Sequence, residues 1–443
     1  MSTNPRRFTP HEVIHEVIDR AVLVGVDRGR EGGWSLEDDL AELERLTDTA
    51  GALVVGTVTQ RLDRPHPKTF VGSGKVEEIA DLVRETEASL VVFDDDLTPS
   101  QQSNIETALP NIKVLDRTAL ILDIFALHAK SREGRLQVEL AQMEYLLPRL
   151  RGLWRHFGQA AAASGGAVGI GTRGPGETQL ETDRRLARTR IQELKRELRQ
   201  VAKNRETQRH ARSRSGVFRV ALVGYTNAGK STLLNALTDA DVLVEDKLFA
   251  TLDATTRKLE LPEGREITIT DTVGFINKLP HGLVEAFKST LDEVREAELQ
   301  LHVVDASHDL ARAQIAAVHE VLGEIEATGH QQVLVYNKCD LVPPDELLQL
   351  KASEPNAVFV SGATGQGLDL LLERIGVEAS RAETTVDVLV PYTRGDLVRL
   401  AHERGHIITE EHTGEGTHLV FKASPGVTAQ FINLESERPA EEG

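Results

Sequence analysis

Residues 217–238 read VFRVALVGYTNAGKSTLLNALT, and within them Gly224-Tyr225-Thr226-Asn227-Ala228-Gly229-Lys230-Ser231 has the form G-x-x-x-x-G-K-[ST]. The context matches the motif. An apolar, β-branched run, VFRVALV, precedes it and reads as a buried strand. STLLNALT follows with helical spacing. A glycine-rich turn between strand and helix points successive backbone N–H groups at an anion. The helix N-terminus adds partial positive charge. Lys230 supplies a point charge for β- and γ-phosphates, and the Ser231 hydroxyl suits magnesium.

Three further motifs follow in order, each behind a strand-like run. Asp271-Thr272-Val273-Gly274 ends EITIT, where an acid can hold magnesium through water and the Gly274 N–H can meet a γ-phosphate. Asn337-Lys338-Cys339-Asp340 follows QVLVY. A carboxylate only accepts hydrogen bonds, and guanine offers two donors on one edge where adenine offers neither. A buried site built on such a pair rejects the analogue lacking it by roughly 10⁴-fold. VFVSGATG then places Ser361-Gly362-Ala363 where backbone N–H groups can meet the guanine oxygen. NKxD or SGA alone is weak. The four together imply a GTP-hydrolysing domain with GTP as substrate and GDP as product.

The chain has 443 residues, room for about three domains. It is 40% hydrophobic and 27% charged, the balance of a globular, soluble chain. It contains no run of 18 apolar residues and no signal-peptide pattern, so no stable membrane insertion is expected. A lone cysteine, Cys339, excludes an intrachain disulfide and fits a reducing cytoplasm. The formal net charge of −18 argues against nucleic-acid binding by the whole surface, and DNA is not an expected partner. A local basic patch stays open.

Outward from the phosphate loop, the fold class reads as α/β. A small N-terminal α/β domain (1–130) alternates strands such as AVLVGV and LVVFD with helices. A helical hairpin (131–215) carries two stripes spaced 4, 3, 4, 3: Leu136, Leu140, Met143, Leu147, Leu150, then Ala187, Ile191, Leu194, Leu198, Val201. Pro148 should kink the first helix. The hairpin is expected to be antiparallel, joined by a Gly-rich loop (158–176) long enough to be a functional tip. The GTPase domain occupies 216–381. A small β-α-β-β domain with an acidic tail fills 382–443.

The second hairpin helix is basic. From Glu181 to Arg214 there are 12 Lys/Arg against 5 Asp/Glu, formally +7. The plainer reading is a solvated helix face. The sharper one is a contact surface for RNA phosphates, with Arg151, Arg155 and Arg173 leaning the same way.

GIGTRGPGETQLETDRR (169–185), just before a GTPase domain, resembles the signature of the HflX family, as does LFATLDATTR (248–257). The resemblance covers most of the chain. It implies a translation-factor-type GTPase, monomeric and cytoplasmic, that binds the large ribosomal subunit through the basic hairpin and splits stalled or idle ribosomes. It also implies that Phe249, Ala250, Thr251, Leu252 and Asp253 line the nucleotide site, with Thr251 the switch threonine that joins Ser231 on magnesium. Catalysis would then rest on Lys230, Thr251 and Gly274. Asn227 resembles the potassium-coordinating asparagine of potassium-activated GTPases, although tolerance of an unusual backbone angle is the favoured explanation.

Where many such GTPases place a water-orienting glutamine, after Gly274, this chain has Phe275. Slow intrinsic turnover that needs a partner is the expectation, unless another residue substitutes for the glutamine. VGSGKV (71–76) fails as a second phosphate loop, because Thr69 stands where glycine is needed and Val76 follows Lys75. The family's link to ATP binding by its N-terminal part keeps an ATP-dependent RNA remodeller as one alternative function. A GTP-gated switch acting on a protein effector is another.

Overall fold

The computed structural model describes residues 18–29, 34–150, 179–214, 217–238, 247–280, 283 and 288–435. The Gly-rich loop with Arg151, Arg155 and Arg173, and the acidic tail beyond 435, lie outside them. The chain forms two compact units, 1–29 with 36–120, and 30–35 with 121–443.

The first unit alternates β1 (Arg20–Asp27), α1 (Leu36–Thr49), β2 (Leu53–Arg61), α2 (Ser73–Thr86), β3 (Leu90–Phe93), α3 (Pro99–Ala108) and β4 (Lys113–Asp116). Its sheet runs in the order β2-β1-β3-β4, all parallel. Parallel neighbours need crossover helices, and β1, β3 and β4 are buried nearly throughout as that arrangement requires, while the edge strand β2 is partly exposed. Val22, Val24, Val91 and Phe93 pack with Ile79 and Ile105 from the helices. Buried Arg117 bridges Asp94 at 2.7 Å and also Glu42. The VGSGKV segment simply opens α2: Gly72 N–H donates to Gln60 Oε1 at 3.0 Å and Lys75 pairs with Glu78 at 2.7 Å.

Helix α4 (Arg117–His128) leads into α5 (Arg132–Leu146), and α6 (Gln179–Arg214) follows. The two apolar stripes meet as the spacing predicts, with Leu136 and Leu140 buried against Ile191 and Leu194. Pro148 interrupts the helix, as expected, and Leu150 is helical again beyond it. From Leu147 to Arg149 the chain turns in 3-10 geometry, because proline removes a helical donor.

The central sheet contains β5 (Phe218–Gly224), β6 (Thr255–Glu260), β7 (Glu266–Asp271), β8 (Leu299–Asp305), β9 (Gln331–Asn337) and β10 (Val358–Phe359), in the order β10-β9-β8-β5-β7-β6. Only β6 is antiparallel to its neighbour. Around it stand α7 (Lys230–Thr238), α8 (Lys288–Glu296), α9 (Ala311–Glu324), α10 (Pro344–Ser353) and α11 (Leu368–Arg381). Chain order reverses at β5, between β7 and β8. Ligands of open α/β sheets bind at the carboxyl ends of strands at such a switch point, which is where the phosphate loop leaves β5.

The last segment pairs β11 (Thr384–Pro391) and β12 (His406–His412) with β13 (Gly416–Ala423), and adds α12 (Gly395–Arg404). Beyond the β-α-β-β reading, α13 (Pro425–Glu435) completes its core, with Phe431 edge-on to Phe421 at 4.8 Å. Among the described residues no helix is long and apolar enough to cross a membrane.

Candidate functional site

The loop after β5 turns because two positions admit no side chain. A Cβ on Gly224 (φ 151°) would run into the Val303 carbonyl oxygen, and one on Gly229 (φ 87°) into Asn337 Nδ2. Asn227 also takes positive φ, 60°, which asparagine tolerates better than most residues. Lys230 Nζ donates to the loop carbonyls of Gly224 (3.1 Å) and Tyr225 (2.8 Å). Burial pulls the Lys230 ammonium down to about 8, against the pull of Asp271.

Three oxygen donors converge beside it. Ser231 Oγ donates to Asp271 Oδ2 at 2.5 Å and lies 2.8 Å from Thr251 Oγ1. Asp271 Oδ1 is buried with no hydrogen-bond partner. Burial raises the Asp271 carboxyl, opposed by Lys230 and by hydrogen bonds from Ser231, Thr251 and Thr272. Two hydroxyls and a carboxylate with an unsatisfied oxygen are hard ligands, and they fit magnesium, which takes oxygen donors and keeps several waters. Ser231 and Thr251 would hold the ion and Asp271 its water shell.

Thr226, Asn227, Gly229, Lys230, Ser231, Phe249, Ala250, Thr251, Thr272 and Gly274 all line one cavity. So do Thr232 and Lys247, which the motif reading did not single out. Thr232 could have been found as the next residue of the helix. Lys247 carries no local signal. Gly274 lies so close to the loop that a Cβ would sit 2.7 Å from Thr226 Cα.

Several expected site residues, Thr272 and Phe249 of the cavity lining among them, commit their side chains to contacts elsewhere. Tyr225 is buried, its hydroxyl accepting from Asn277 N–H at 2.6 Å and its ring stacked on Trp34. Thr272 Oγ1 donates to Leu222 O at 2.7 Å, so its side chain braces β5. Val273, Leu252 and Ala228 are buried apolar residues. Phe249, at φ 57°, is also buried, and its ring meets Phe125 edge-on at 4.7 Å. Asp253 faces the start of α5: its carboxylate accepts the Ser131 N–H at 2.7 Å.

Asn337 joins the loop after β5 to the Ser361-Gly362-Ala363 turn. Its Nδ2 donates to Ala228 O at 3.0 Å, and its Oδ1 accepts the Gly362 N–H at 2.9 Å. That Gly362 N–H is therefore committed to holding the loop, and among the Ser361-Gly362-Ala363 amides it is not the one open to a base. Ser361 Oγ accepts from Thr364 N–H at 3.1 Å. Lys338 pairs with Asp305 at 2.7 Å. Burial raises the Asp305 carboxyl, but Lys338 and Ser307 outweigh it and hold it below the ordinary range. Asp340 is exposed. Cys339 is buried beneath the motif.

Three family profiles match the chain: GTP-binding GTPase N-terminal over residues 37–126, GTP-binding GTPase Middle Region over 128–212, and 50S ribosome-binding GTPase over 219–338. A protein named GTPase HflX from Caldanaerobacter subterraneus subsp. tengcongensis is 48% identical over 417 residues, 94% of each chain. GTPase HflX from Escherichia coli K12 is 47% identical over 340 residues, 76% of this chain and 78% of its own. A solved GTP-binding protein from Sulfolobus solfataricus, in complex with GDP, is 24% identical with a TM-score of 0.42, over 82% of this chain and 99% of its own.

Proposed function

The chain belongs to the HflX family of GTPases, and on that premise we propose that it is a magnesium-dependent GTP hydrolase that engages the large ribosomal subunit and separates stalled or idle ribosomes in a nucleotide-dependent way. GTP hydrolysis itself is the activity of the family and of its GTPase domain. The ribosomal part rests on one observation: α6 is formally +7 from Glu181 to Arg214 on a chain of −18. Part of that charge is used inside the arm, where Arg190 pairs with Glu139 and Lys195 with Glu144, each at 2.7 Å. Arg188 and Arg196 are exposed on the same helix, where they suit RNA phosphates.

The chemistry in this reading is phosphoryl transfer to water, in which the protein positions groups and stabilises charge. Lys230 exchanges the loop carbonyls for β- and γ-phosphate oxygens. Magnesium, when bound, neutralises charge across the same phosphates. Ser231 and Thr251 hold the metal side of the site, and the Gly274 N–H donates to the γ-phosphate. Asp340 accepts from the guanine edge. Phe275 has no group to orient water, so turnover is slow until a partner completes the site. The left-handed backbone at Asn227 accounts for that residue without an ion. Potassium coordination by Asn227 would show as faster hydrolysis in potassium than in sodium, lost in Asn227→Ala.

Co-sedimentation with ribosomal subunits tests the reading. The form bound to a GTP analogue should bind large subunits tighter than the GDP form, and subunits should stimulate hydrolysis. Reversing charge at Arg184, Arg185 and Arg188 should weaken binding and flatten its salt slope by up to about three units. If the triple reversal leaves binding unchanged and subunits do not stimulate the wild type, a switch acting on a protein effector becomes the better reading.

A further inference from the structure

The switch segment from Phe249 to Asp253 is held along its length by different parts of the second unit. At its start, Phe249 N–H donates to Thr226 Oγ1 of the phosphate loop at 2.9 Å, and the Phe249 ring packs on Phe125 of α4. In its middle, Thr251 Oγ1 lies 2.8 Å from Ser231 Oγ, at the metal side of the cavity. At its end, the Asp253 carboxylate reaches the first turn of α5. One oxygen accepts N–H groups from Lys130 (3.0 Å) and Ser131 (2.7 Å), and the other accepts the Ser131 hydroxyl. Ser131 is the N-cap of α5, its Oγ accepting the Gly134 N–H at 2.8 Å. Gly134 leaves room for this approach, since a Cβ there would stand 2.5 Å from Asp253 Oδ1.

A carboxylate on a helix N-terminus with three donors is a firm attachment, because charge-assisted bonds and the helix end both favour the anion. Thr251 is two residues away, too short a tether to move independently. We propose that Asp253 is a positioning residue for hydrolysis: the N-terminus of α5 holds the switch segment so that Thr251 stands at the metal site, and a displacement of the α5–α6 arm reaches Thr251 through this contact. Arm and switch thus form one mechanical unit, in which whatever the arm binds alters GTP turnover. The inference depends on GTP hydrolysis and not on the identity of the arm's partner.

The test uses the full-length protein alone, without ribosomes, so that it is independent of the ribosomal reading. GTP turnover at saturation, magnesium titrations with a non-hydrolysable GTP analogue, and GDP affinity are measured for wild type, Asp253→Ala, Ser131→Ala, Ser131→Thr and Gly134→Ala. Misplacing a group by about 1 Å costs on the order of 100-fold, so kcat should fall by about ten- to a hundred-fold in Asp253→Ala and Gly134→Ala. Half-saturation by magnesium should rise with the GTP analogue, while GDP affinity stays within about twofold, because the threonine senses only the γ-phosphate state. Ser131→Thr, which keeps the hydroxyl, should recover most of what Ser131→Ala loses. Gly134→Ala guards against a misfolded Asp253→Ala: alanine favours a helix over glycine, so its loss of turnover would come from the displaced carboxylate. Unchanged kcat and magnesium response in Gly134→Ala overturns the proposal. So does a parallel fall in GDP affinity, which would make Asp253 a cap that only stabilises the fold.

Discussion

Phe275 is hydrogen-bonded to the phosphate loop on both sides of Tyr225: its N–H donates to Gly224 O at 3.1 Å and its carbonyl accepts the Thr226 N–H at 2.7 Å. This one-residue ladder draws the segment after β7 alongside the loop, brings Gly274 against Thr226 and Lys230, and leaves the Phe275 ring fully buried. Phenylalanine therefore stands where it does as a packing residue.

Restoring the missing glutamine should accordingly not restore catalysis. Phe275→Gln would bury an amide in an apolar site and remove ring contacts, at a cost of about 2–4 kcal/mol. Urea unfolding should show that loss, and GTP turnover without a partner should not rise. A stable variant with faster turnover would refute the packing assignment.

Guanine selectivity should follow Asp340. Asp340→Asn replaces an acceptor-only carboxylate with a group that also donates, so GTP should bind more weakly and xanthosine triphosphate, with an acceptor at the 2-position, better. Competition binding with both nucleotides decides it. Equal affinities for the two in the variant would remove Asp340 from the base site.

Cys339 should be inert in the native protein. Its thiol is buried, donates to Tyr336 O at 3.3 Å, and is pushed by burial up to about 11. The thiolate is the nucleophile, so alkylation at pH 8 should be slow with or without GDP and fast in urea. The linkage sign is definite. The unfolded thiol ionises from about 9 and the folded one from about 11, so this group lowers stability as pH rises between those values. Rapid, complete labelling of native protein at pH 8 would contradict the burial.

His302 makes the fold sensitive to acid. It is buried on β8 against His319, ring centroids 5.3 Å apart, with Nδ1 unpartnered. Burial first, then the charges of His319 and Lys230, pull it down to about 3 from 6.5. Its neutral form is favoured in the folded state, so the stability it contributes is present above about 6.5 and is lost as pH falls towards 3. Urea midpoints from pH 7.5 to 4.5 should decline, and His302→Leu should flatten that decline. Identical slopes for both proteins would clear His302 of the effect.

Much of this protein was legible without coordinates because its chemistry is written locally. The loop at 224–231 needs glycine at positions of positive φ and close approach, and the sequence has it there. Strands and helices alternate as the apolar runs predict, and two stripes of heptad-like spacing found each other. Local reading reached less far where an element has no strong period of its own. Helix α13 opens at Ser424-Pro425, a helix-start pair, and its place in the domain is fixed by the packing of Val427 and Phe431 onto the small sheet.

What the tertiary structure alone decided is where side chains with ambiguous chemistry are sent. Asn337 could have faced a base, yet it ties the phosphate loop, 109 residues away, to Gly362. Asp253 lies within a nucleotide-site signature, yet its carboxylate caps α5, 122 residues away. Backbone turns and amphipathic periods obey forces between near neighbours, so spacing reveals them. The direction of a carboxylate or an amide depends on which distant donor reaches it first in the packed chain, and no spacing encodes that.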